Sequence, residues 1–208
     1  MFKTLTRLAM IAVFGASLQM SALAADEAPD VLIKNVTSEI IELIKTDKAI
    51  QAGDAKHIQE VIENKIVPYF DFNKMTGSAV GREWRNATPD QKTQLAKEFK
   101  TLLVRSYSNA VTQYKNQTVD VKPFKAAAAD TEVTVKTEVK QPGAKPVAID
   151  YDLTKAADGW KVFDVYVAGV SLVANYRETF GQEIKANGID GLIKSLRDKN
   201  AAQVIEKK

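Results

Sequence analysis

The chain has 208 residues, no cysteine and one histidine, and its 29 Lys and Arg residues nearly balance 26 Asp and Glu residues. The missing cysteines exclude a disulfide framework, and the balanced charge argues against a nucleic-acid-binding protein, which would carry a large basic excess. A chain of this length can bury a core of its own, so we expect packing alone to stabilise it.

Residues 1–24 have the pattern of a secretory signal peptide. Lys3 and Arg7 give a basic start, residues 8–18 form an apolar run, and Ala22 and Ala24 form an A-x-A cleavage signature. An uncleaved membrane anchor is the alternative, but the run is shorter than the roughly 20 residues that a bilayer-spanning helix needs. We therefore predict export, cleavage after Ala24 and a single mature domain over residues 25–208.

Two amphipathic helices are predicted at the start of the mature domain. Over residues 28–46, apolar residues recur every three or four positions, which is the period of a helix with one buried stripe. Asp54 can accept hydrogen bonds from the free amides of a second helix, which ends before Pro68. We interpret the aromatic and glycine-containing segment that follows, residues 69–84, as short helical turns.

A long helix is predicted to begin at Thr88. Residues 88–91 combine a hydroxyl cap, a proline at the first helical position and a glutamine three residues after the cap. The apolar residues that follow, up to about Lys115, cover a face that is wider than one packing seam requires. We therefore expect this helix to contact both a sheet and another helix.

The apolar pattern changes to a period of two after Asn116, which predicts β-strands. Apolar and polar residues alternate over residues 119–122, 133–139 and 147–153. A fourth segment, residues 160–168, is too apolar for a strand with one wet face, so both of its faces are expected to meet apolar residues. Turn residues at Pro142-Gly143 and Asp158-Gly159 separate the later strands. The sequence therefore predicts a four-stranded antiparallel meander.

The fourth strand is predicted to continue directly into a helix across Gly169. Two closing helices are expected, over residues 171–186 and 189–199, with a left-handed residue at Asn187-Gly188 ending the first. The expected fold class is α+β: a curved four-stranded antiparallel sheet packed against several helices that enclose an apolar pocket.

Patterns typical of catalysis and metal binding are missing from the sequence. A triad or a zinc site needs several converging ligands, and His57 is the one histidine. Asp164 lies in the most apolar strand and could act as the general base of a small cone-shaped enzyme on an apolar substrate. Alternatively, it could hold the sheet to a helix by pairing with Arg105, Lys161 or Arg177. We favour the structural role and expect no catalytic residue, metal or cofactor.

Four blocks of the sequence are distinctive. They are IVPYFDFNKM at residues 66–75, GREWR at 81–85, FKTLLVRSY at 99–107 and GWKVFDVYVAGVSLVANYR at 159–177. These blocks, in this order, closely resemble the MlaC family of periplasmic phospholipid-binding proteins, also known as toluene-tolerance or ABC-transporter auxiliary proteins. The resemblance extends over nearly the whole mature chain and implies an α+β fold with a deep pocket for acyl chains.

The resemblance also implies a function and a set of partners. It implies a periplasmic phospholipid carrier that shuttles lipid between outer- and inner-membrane complexes of a Gram-negative cell and so maintains outer-membrane lipid asymmetry. The implied partners are an inner-membrane ABC transporter complex with its substrate-binding ring protein, and an outer-membrane lipoprotein with its porin. The carrier itself is expected to be a monomer that holds phospholipid as cargo.

The residues predicted to contact acyl chains belong to the long helix, the middle strands and the last block. They are Phe99, Leu103, Tyr107, Val111, Val133, Val135, Ile149, Tyr151, Val165, Val167, Val170, Leu172 and Tyr176. For each of them, a place in the ordinary core is the alternative, because a periodic apolar stripe is the same for a cavity wall and for a filled interior.

Overall fold

The computed structural model describes residues 27–112 and 116–205, without the side chains of residues 109–112 and 203–205. The predicted signal peptide, residues 1–24, lies outside this part of the chain. The described residues form an α+β fold in which helices come first, an antiparallel sheet follows and a long broken helix comes last.

Three helices open the described part of the chain. They are α1 (Pro29–Thr46), α2 (Lys48–Gln51) and α3 (Ala55–Lys65). The Asp54 carboxylate accepts hydrogen bonds from the first amides of α3, which confirms the predicted cap. Asp47 caps the short helix α2 in the same way, and it does so one residue after α1 ends.

The next helices are α4 (Phe72–Val80) and α5 (Pro89–Thr112), with short 3-10 turns at Val67–Tyr69 and Gly81–Arg85. The predicted start of α5 is confirmed. The amide of Gln91 donates to the Thr88 hydroxyl over 3.2 Å, and the amide of Thr88 donates to the Gln91 side chain over 3.0 Å. This reciprocal pair satisfies two amides that the first helical turn leaves free.

The sheet has five antiparallel strands in chain order, and not the four that the sequence predicted. The strands are β1 (Thr118–Val121), β2 (Glu132–Lys140), β3 (Val147–Ala156), β4 (Gly159–Val167) and β5 (Val170–Ser171). The chain turns back after β4 at Ala168 and Gly169, whose φ angles are +50° and +81°. This two-residue hairpin turn pairs β5 with β4. The turn was hidden in the sequence because alanine rarely adopts a positive φ.

A β-bulge bends the centre of the sheet. Asp152 pairs with Asp164 and Leu153 pairs with Val162, so Phe163 is an extra residue on β4. A bulge of this kind increases the local twist of a strand and bends it. The face that carries Leu153 and Val162 is called the inner face below.

The helix α6 (Leu172–Ile205) is broken at Gly188, where φ is 72° and ψ is −176°. The predicted division of the closing segment into two helices at Asn187-Gly188 is therefore confirmed. The helical stretches on either side of Gly188 cover α4 and α5, and they contribute Phe180, Leu192 and Leu196 to the core.

The buried apolar residues form three clusters. One joins α4, α5 and α6 around Phe99; a second joins α1 to the inner face around Leu153; a third joins α1, α2, α3 and α5 around Ile50. Phe70 packs against the first two clusters, because it forms a β-bridge to Val162 at the edge of β4. The helices and the inner face therefore meet around this one side chain.

Candidate functional site

Two adjoining apolar cavities lie within the part of the chain that the structure describes, and the larger one is between α1 and the inner face of the sheet. Its volume is about 360 Å³. It is lined by Leu32, Ile33, Val36, Thr37, Ile40, Ile41, Ile44, Ile66, Tyr69, Phe70, Tyr107, Val119, Val139, Ile149, Tyr151, Val162, Val165, Val167 and Leu172. The stripe that makes α1 amphipathic is therefore one wall of a cavity.

The smaller cavity lies between α3, α4 and α5, and its volume is about 170 Å³. It is lined by Ile62, Ile66, Val67, Phe70, Phe72, Met75, Leu103, Val104, Tyr107, Val165 and Leu172. The two cavities adjoin, because they share Ile66, Phe70, Tyr107, Val165 and Leu172 as wall residues.

The larger cavity reaches the surface at Tyr107 and Val167. Both residues line it, yet Tyr107 is 46% exposed and Val167 is 43% exposed. Large apolar side chains that are exposed and also border a cavity indicate a place where the cavity opens to the surface. The hairpin turn at Ala168-Gly169 follows Val167 directly, so the β4–β5 hairpin forms one side of this opening.

The walls of both cavities are free of formal charge. Among the described residues that line them, none is Asp, Glu, Lys, Arg or His. The polar groups in the walls are the hydroxyls of Thr37, Tyr69, Tyr107 and Tyr151. Such walls suit an apolar ligand, because a charge that the ligand buried without a partner would lose its hydration at a large cost in free energy.

The structure brings several of the predicted lipid-contacting residues together around this space. Leu103, Tyr107, Ile149, Tyr151, Val165, Val167 and Leu172 line one or both cavities. They come from α5, β3, β4 and the first turn of α6. These elements are distant in sequence, and Tyr107, Val165 and Leu172 border both cavities.

The other predicted residues lie elsewhere. Phe99 is fully buried and makes edge-on contact with Tyr176, their ring centres being 4.9 Å apart. Val133 and Val135 belong to the cluster between α1 and the inner face. Val170 is 55% exposed on β5 and lines neither cavity. Val111 lies on α5, and its side chain is outside the described part of the structure.

The sequence prediction missed the contribution of α1, of the aromatic segment before α4 and of α4 itself. The residues concerned are Leu32, Ile33, Val36, Ile40, Ile41, Ile44, Tyr69, Phe70, Phe72 and Met75. Their apolar spacing was a visible signal, but it predicts only that a face is buried. Which surface covers that face, and how completely it fills the space, depends on tertiary packing.

Asp164 stabilises the junction of β4 and α6. One carboxylate oxygen accepts hydrogen bonds from the amides of Val165 and Val173, over 2.8 and 3.2 Å, and the other accepts from the Ser171 hydroxyl over 2.5 Å. The residue is 6% exposed and lines neither cavity. The general-base alternative therefore has no geometric support, because the carboxylate does not face the apolar space.

The proposed pairing of Asp164 with a cation was wrong. Arg177 donates to the carbonyl of Ser78, and Lys161 donates to the carbonyl of Pro68 and pairs with an exposed aspartate. Arg105 donates to the carbonyl of Asn200. Backbone amides and a hydroxyl satisfy Asp164 instead, as they do for a carboxylate at a helix start.

Two further titratable groups have structural partners. The Tyr166 hydroxyl lies beside Asp152 and Asp164, and burial, with a further contribution from Asp152, raises the pKa of Tyr166 to about 12. His57 Nε2 is 2.7 Å from Asp47 Oδ2, and this hydrogen bond raises the pKa of His57 and lowers that of Asp47. His57 is therefore tied to the cap of α2.

No cluster of three or more His, Cys, Asp or Glu side chains is placed to hold a metal ion within residues 27–112 and 116–205. In the same part of the chain, no helix is both long and apolar enough to cross a membrane.

The fold and the charge-free walls of its two cavities are typical of a small domain that encloses an apolar ligand. The family described as MlaC protein matches this chain over residues 34–198. The chain therefore belongs to the MlaC family, as the sequence blocks predicted.

Individual relatives agree with this assignment. The chain is 21% identical to the intermembrane phospholipid transport system binding protein MlaC of Haemophilus influenzae over 184 residues, which cover 87% of this chain and 86% of that protein. It is 25% identical to toluene tolerance protein ttg2D of Pseudomonas putida over 167 residues, which cover 80% of this chain and 77% of that protein.

A solved structure is similar in both sequence and fold. It is a phospholipid-binding protein from Ralstonia solanacearum, determined in complex with a phospholipid, and it is 38% identical to this chain. The two structures superpose with a TM-score of 0.77, covering 84% of this chain and 98% of the other.

Proposed function

We propose that this protein is a periplasmic, non-catalytic phospholipid carrier that holds acyl chains in the two adjoining cavities. The observation that carries the proposal is the larger cavity, about 360 Å³, whose described lining is free of formal charge and which opens at Tyr107 and Val167. The relatives support it, since one is named for phospholipid transport and another was determined with phospholipid bound.

The physical need for such a carrier is large. A lipid with two acyl chains has about 30 methylenes, and exposing each to water costs about 0.8 kcal/mol, so unaided transfer faces roughly 24 kcal/mol. Spontaneous desorption is negligible against a barrier of that size. An interior about as apolar as the bilayer removes most of this cost. It also keeps the free energies of lipid in the carrier and lipid in the bilayer nearly equal. A modest difference in a partner's affinity for the loaded and the empty carrier then sets the direction of lipid transfer.

The volumes bear on how much lipid is enclosed. A dry cavity of about 150 Å³ accepts one benzene ring. On that scale the larger cavity takes roughly fourteen carbons and the smaller roughly seven. Together they enclose less than two full-length chains. We therefore expect loading to widen the space, with α1 moving away from the inner face because it is the wall that is least tied to the other helices.

Membership of the MlaC family supports a proposal for the role of the protein in the cell. In this proposal the carrier shuttles lipid between outer- and inner-membrane complexes and maintains outer-membrane lipid asymmetry. The partners we propose are an inner-membrane ABC transporter complex with its substrate-binding ring protein, and an outer-membrane lipoprotein with its porin. The basic and apolar pattern of residues 1–24 supports export to the periplasm.

Native mass spectrometry tests lipid binding directly. The mature protein is expressed in a Gram-negative host, purified without added lipid or detergent, and sprayed from a volatile buffer. The expected result is a mass equal to the chain plus one phospholipid, with the lipid released on collision. A protein that emerges bare, and that takes up no phospholipid after incubation with vesicles of phosphatidylethanolamine and phosphatidylglycerol, would overturn the proposal.

A further inference from the structure

The place where the two cavities adjoin has one polar side chain in its wall. Of the five residues that line both cavities, four are purely apolar, and the fifth is Tyr107. Tyr107 is also 46% exposed, so its ring lies at the opening while bordering both spaces. Tyr107 is therefore the hydroxyl-bearing residue of the wall that the two cavities share.

Tyr107 has a second tyrosine beside it. Tyr176 on α6 is half-buried, and its ring lies 4.9 Å from that of Phe99 and 5.5 Å from that of Phe180. Burial, together with the neighbouring Tyr107, raises the pKa of Tyr176 to about 12. Tyr176 therefore stays a neutral phenol at physiological pH. Its position is fixed by aromatic packing, so it can hold the adjacent Tyr107 hydroxyl in place.

Two neutral phenols suit a particular kind of ligand group. Each hydroxyl can donate one hydrogen bond and accept others. If Tyr176 donates to the Tyr107 oxygen, the Tyr107 hydrogen is left for a ligand. An uncharged acceptor, such as a carbonyl oxygen, fits this site. The ester carbonyls of a glycerolipid are such acceptors, and they lie at the point where two hydrocarbon chains separate.

We propose that the two cavities divide the two acyl chains of a single lipid between them, and that Tyr107 donates a hydrogen bond to an ester carbonyl at the branch point. The inference rests on the proposed function and adds to it the residue that recognises the ester linkage of the cargo. A lipid with one chain would fill one compartment only. A lipid with ether-linked chains would offer Tyr107 no carbonyl.

The first test removes the hydroxyl and keeps the ring. Wild type and Tyr107→Phe are loaded in competition with diester and diether phosphatidylethanolamines of equal chain length, and the bound ratio is read by native mass spectrometry. Wild type is expected to favour the diester about fivefold, which is the value of one net hydrogen bond. Tyr107→Phe is expected to bind both equally. Tyr166→Phe, which removes a hydroxyl on the other face of the sheet, is the matched control and should keep the wild-type ratio.

The second test narrows one compartment. Leu103 lines the smaller cavity only, so Leu103→Phe is expected to weaken binding of two-chain phosphatidylethanolamine several-fold while sparing its one-chain lysophospholipid. Ile149 lines the larger cavity only, so Ile149→Phe is expected to weaken both. Circular dichroism confirms that each variant is folded; should Leu103→Phe fail to fold, the ester-to-ether ratio of Tyr107→Phe decides alone.

The outcomes separate this inference from the function on which it rests. A wild-type protein that binds neither the two-chain nor the one-chain lipid would overturn the proposed carrier. A protein that binds phospholipid, but with a diester-to-diether ratio that is the same in wild type and Tyr107→Phe, would leave the carrier in place and overturn the branch-point assignment.

Discussion

The Ser171 hydroxyl donates a hydrogen bond to the Asp164 carboxylate over 2.5 Å, and this contact joins the last long strand of the sheet to the start of α6. The same carboxylate accepts from the amide of Val173, in the first turn of α6. Because Leu172 lies between these two residues and lines both cavities, Asp164 also positions part of their shared wall.

Removing the Asp164 carboxylate should therefore destabilise the fold. In Asp164→Ala, two amides and a hydroxyl lose their acceptor at a site that is 6% exposed, so we expect the free energy of unfolding to fall by about 2–3 kcal/mol. Urea denaturation followed by circular dichroism measures the change. Asp158→Ala, at a carboxylate whose side chain is 74% exposed, is the control and should lower the free energy of unfolding far less, because an exposed ion pair contributes little. An unchanged midpoint for Asp164→Ala would contradict the structural role.

A substitution in the hairpin turn between β4 and β5 is expected to stabilise the fold. Ala168 has a φ of +50°, a conformation that costs an L-residue with a Cβ about 1 kcal/mol. Ala168→Gly relieves this strain, and the resulting gain in the free energy of unfolding is expected to be about 0.5 kcal/mol after the extra entropy of the unfolded glycine. Gly169→Ala places a Cβ at a φ of +81° and should be destabilising. A loss of stability in Ala168→Gly, measured by urea denaturation, would argue against this turn.

How much of the fold the sequence predicted depends on how local each signal was. The caps at Asp54 and Thr88 and the break at Gly188 are determined by a few neighbouring residues, and all three predictions are confirmed. The fifth strand was missed because it has only two residues and its turn contains Ala168. A strand that short has no periodicity of its own to detect.

The candidate site was harder to predict than the fold. Apolar periodicity identified Leu103 and Phe99 as inward-facing, and both are buried, but one lines a cavity and the other fills the core. Whether such a residue lines a cavity or fills the core depends on which side chains of α4, α6 and the sheet pack against it. Ile40 belongs to the apolar stripe of α1, which the sequence predicted. Nothing in the neighbouring residues indicates that this stripe lines a cavity and does not fill the core.

The opening of the larger cavity can be tested with a matched pair of valines. Val167 and Val147 are 43% and 41% exposed on neighbouring strands, but only Val167 lines the cavity. Val167→Trp places an indole across the opening and is expected to lower phospholipid occupancy several-fold, while unfolding stability changes by less than about 1 kcal/mol. Val147 lies beside the wall residues Val139 and Ile149 but does not line the cavity itself, so Val147→Trp should lower occupancy less than Val167→Trp does. Equal occupancy in the two variants, measured by native mass spectrometry, would place the entry elsewhere.

Lys74 ties α4 to the outer face of the sheet. Its ammonium group donates to Glu132 over 2.5 Å and to Thr154 over 2.8 Å, and it lies 4.2 Å from the centre of the Phe163 ring. The Lys74 side chain contacts all three partners and is only 29% exposed. Lys74→Ala is therefore expected to lower the free energy of unfolding by about 1–2 kcal/mol.

The control for Lys74 is a lysine that forms an equally short ion pair but is largely exposed. Lys194 lies 2.5 Å from Asp198 on α6, with its side chain 77% exposed. Exposed pairs of this kind contribute little, so Lys194→Ala should cost less than about 0.5 kcal/mol. Thermal unfolding of both variants compares them under one condition. If they unfold at the same temperature, the ion pair alone accounts for Lys74, and its contacts with Thr154 and Phe163 contribute nothing.

The ion pair between His57 and Asp47 predicts a pH-dependent stability. The hydrogen bond to Asp47 raises the pKa of His57, so protonated His57 stabilises the fold fully below its unfolded value of about pH 6.5. That contribution is lost as the pH rises through the folded value. The pKa of Asp47 is lowered, chiefly by His57, so its contribution is present above about pH 4 and is lost as the pH falls.

Comparison of wild type with His57→Gln isolates this pair, because His57 is the one histidine in the chain. The two proteins are denatured with urea at about pH 5.5 and about pH 9, where the histidine is charged and neutral respectively. At the lower pH, the free energy of unfolding of wild type should exceed that of His57→Gln, and this excess should shrink at the higher pH. The pair joins the cap of α2 to α3. A difference in stability that is the same at both pH values would show that His57 acts through packing and not through its charge.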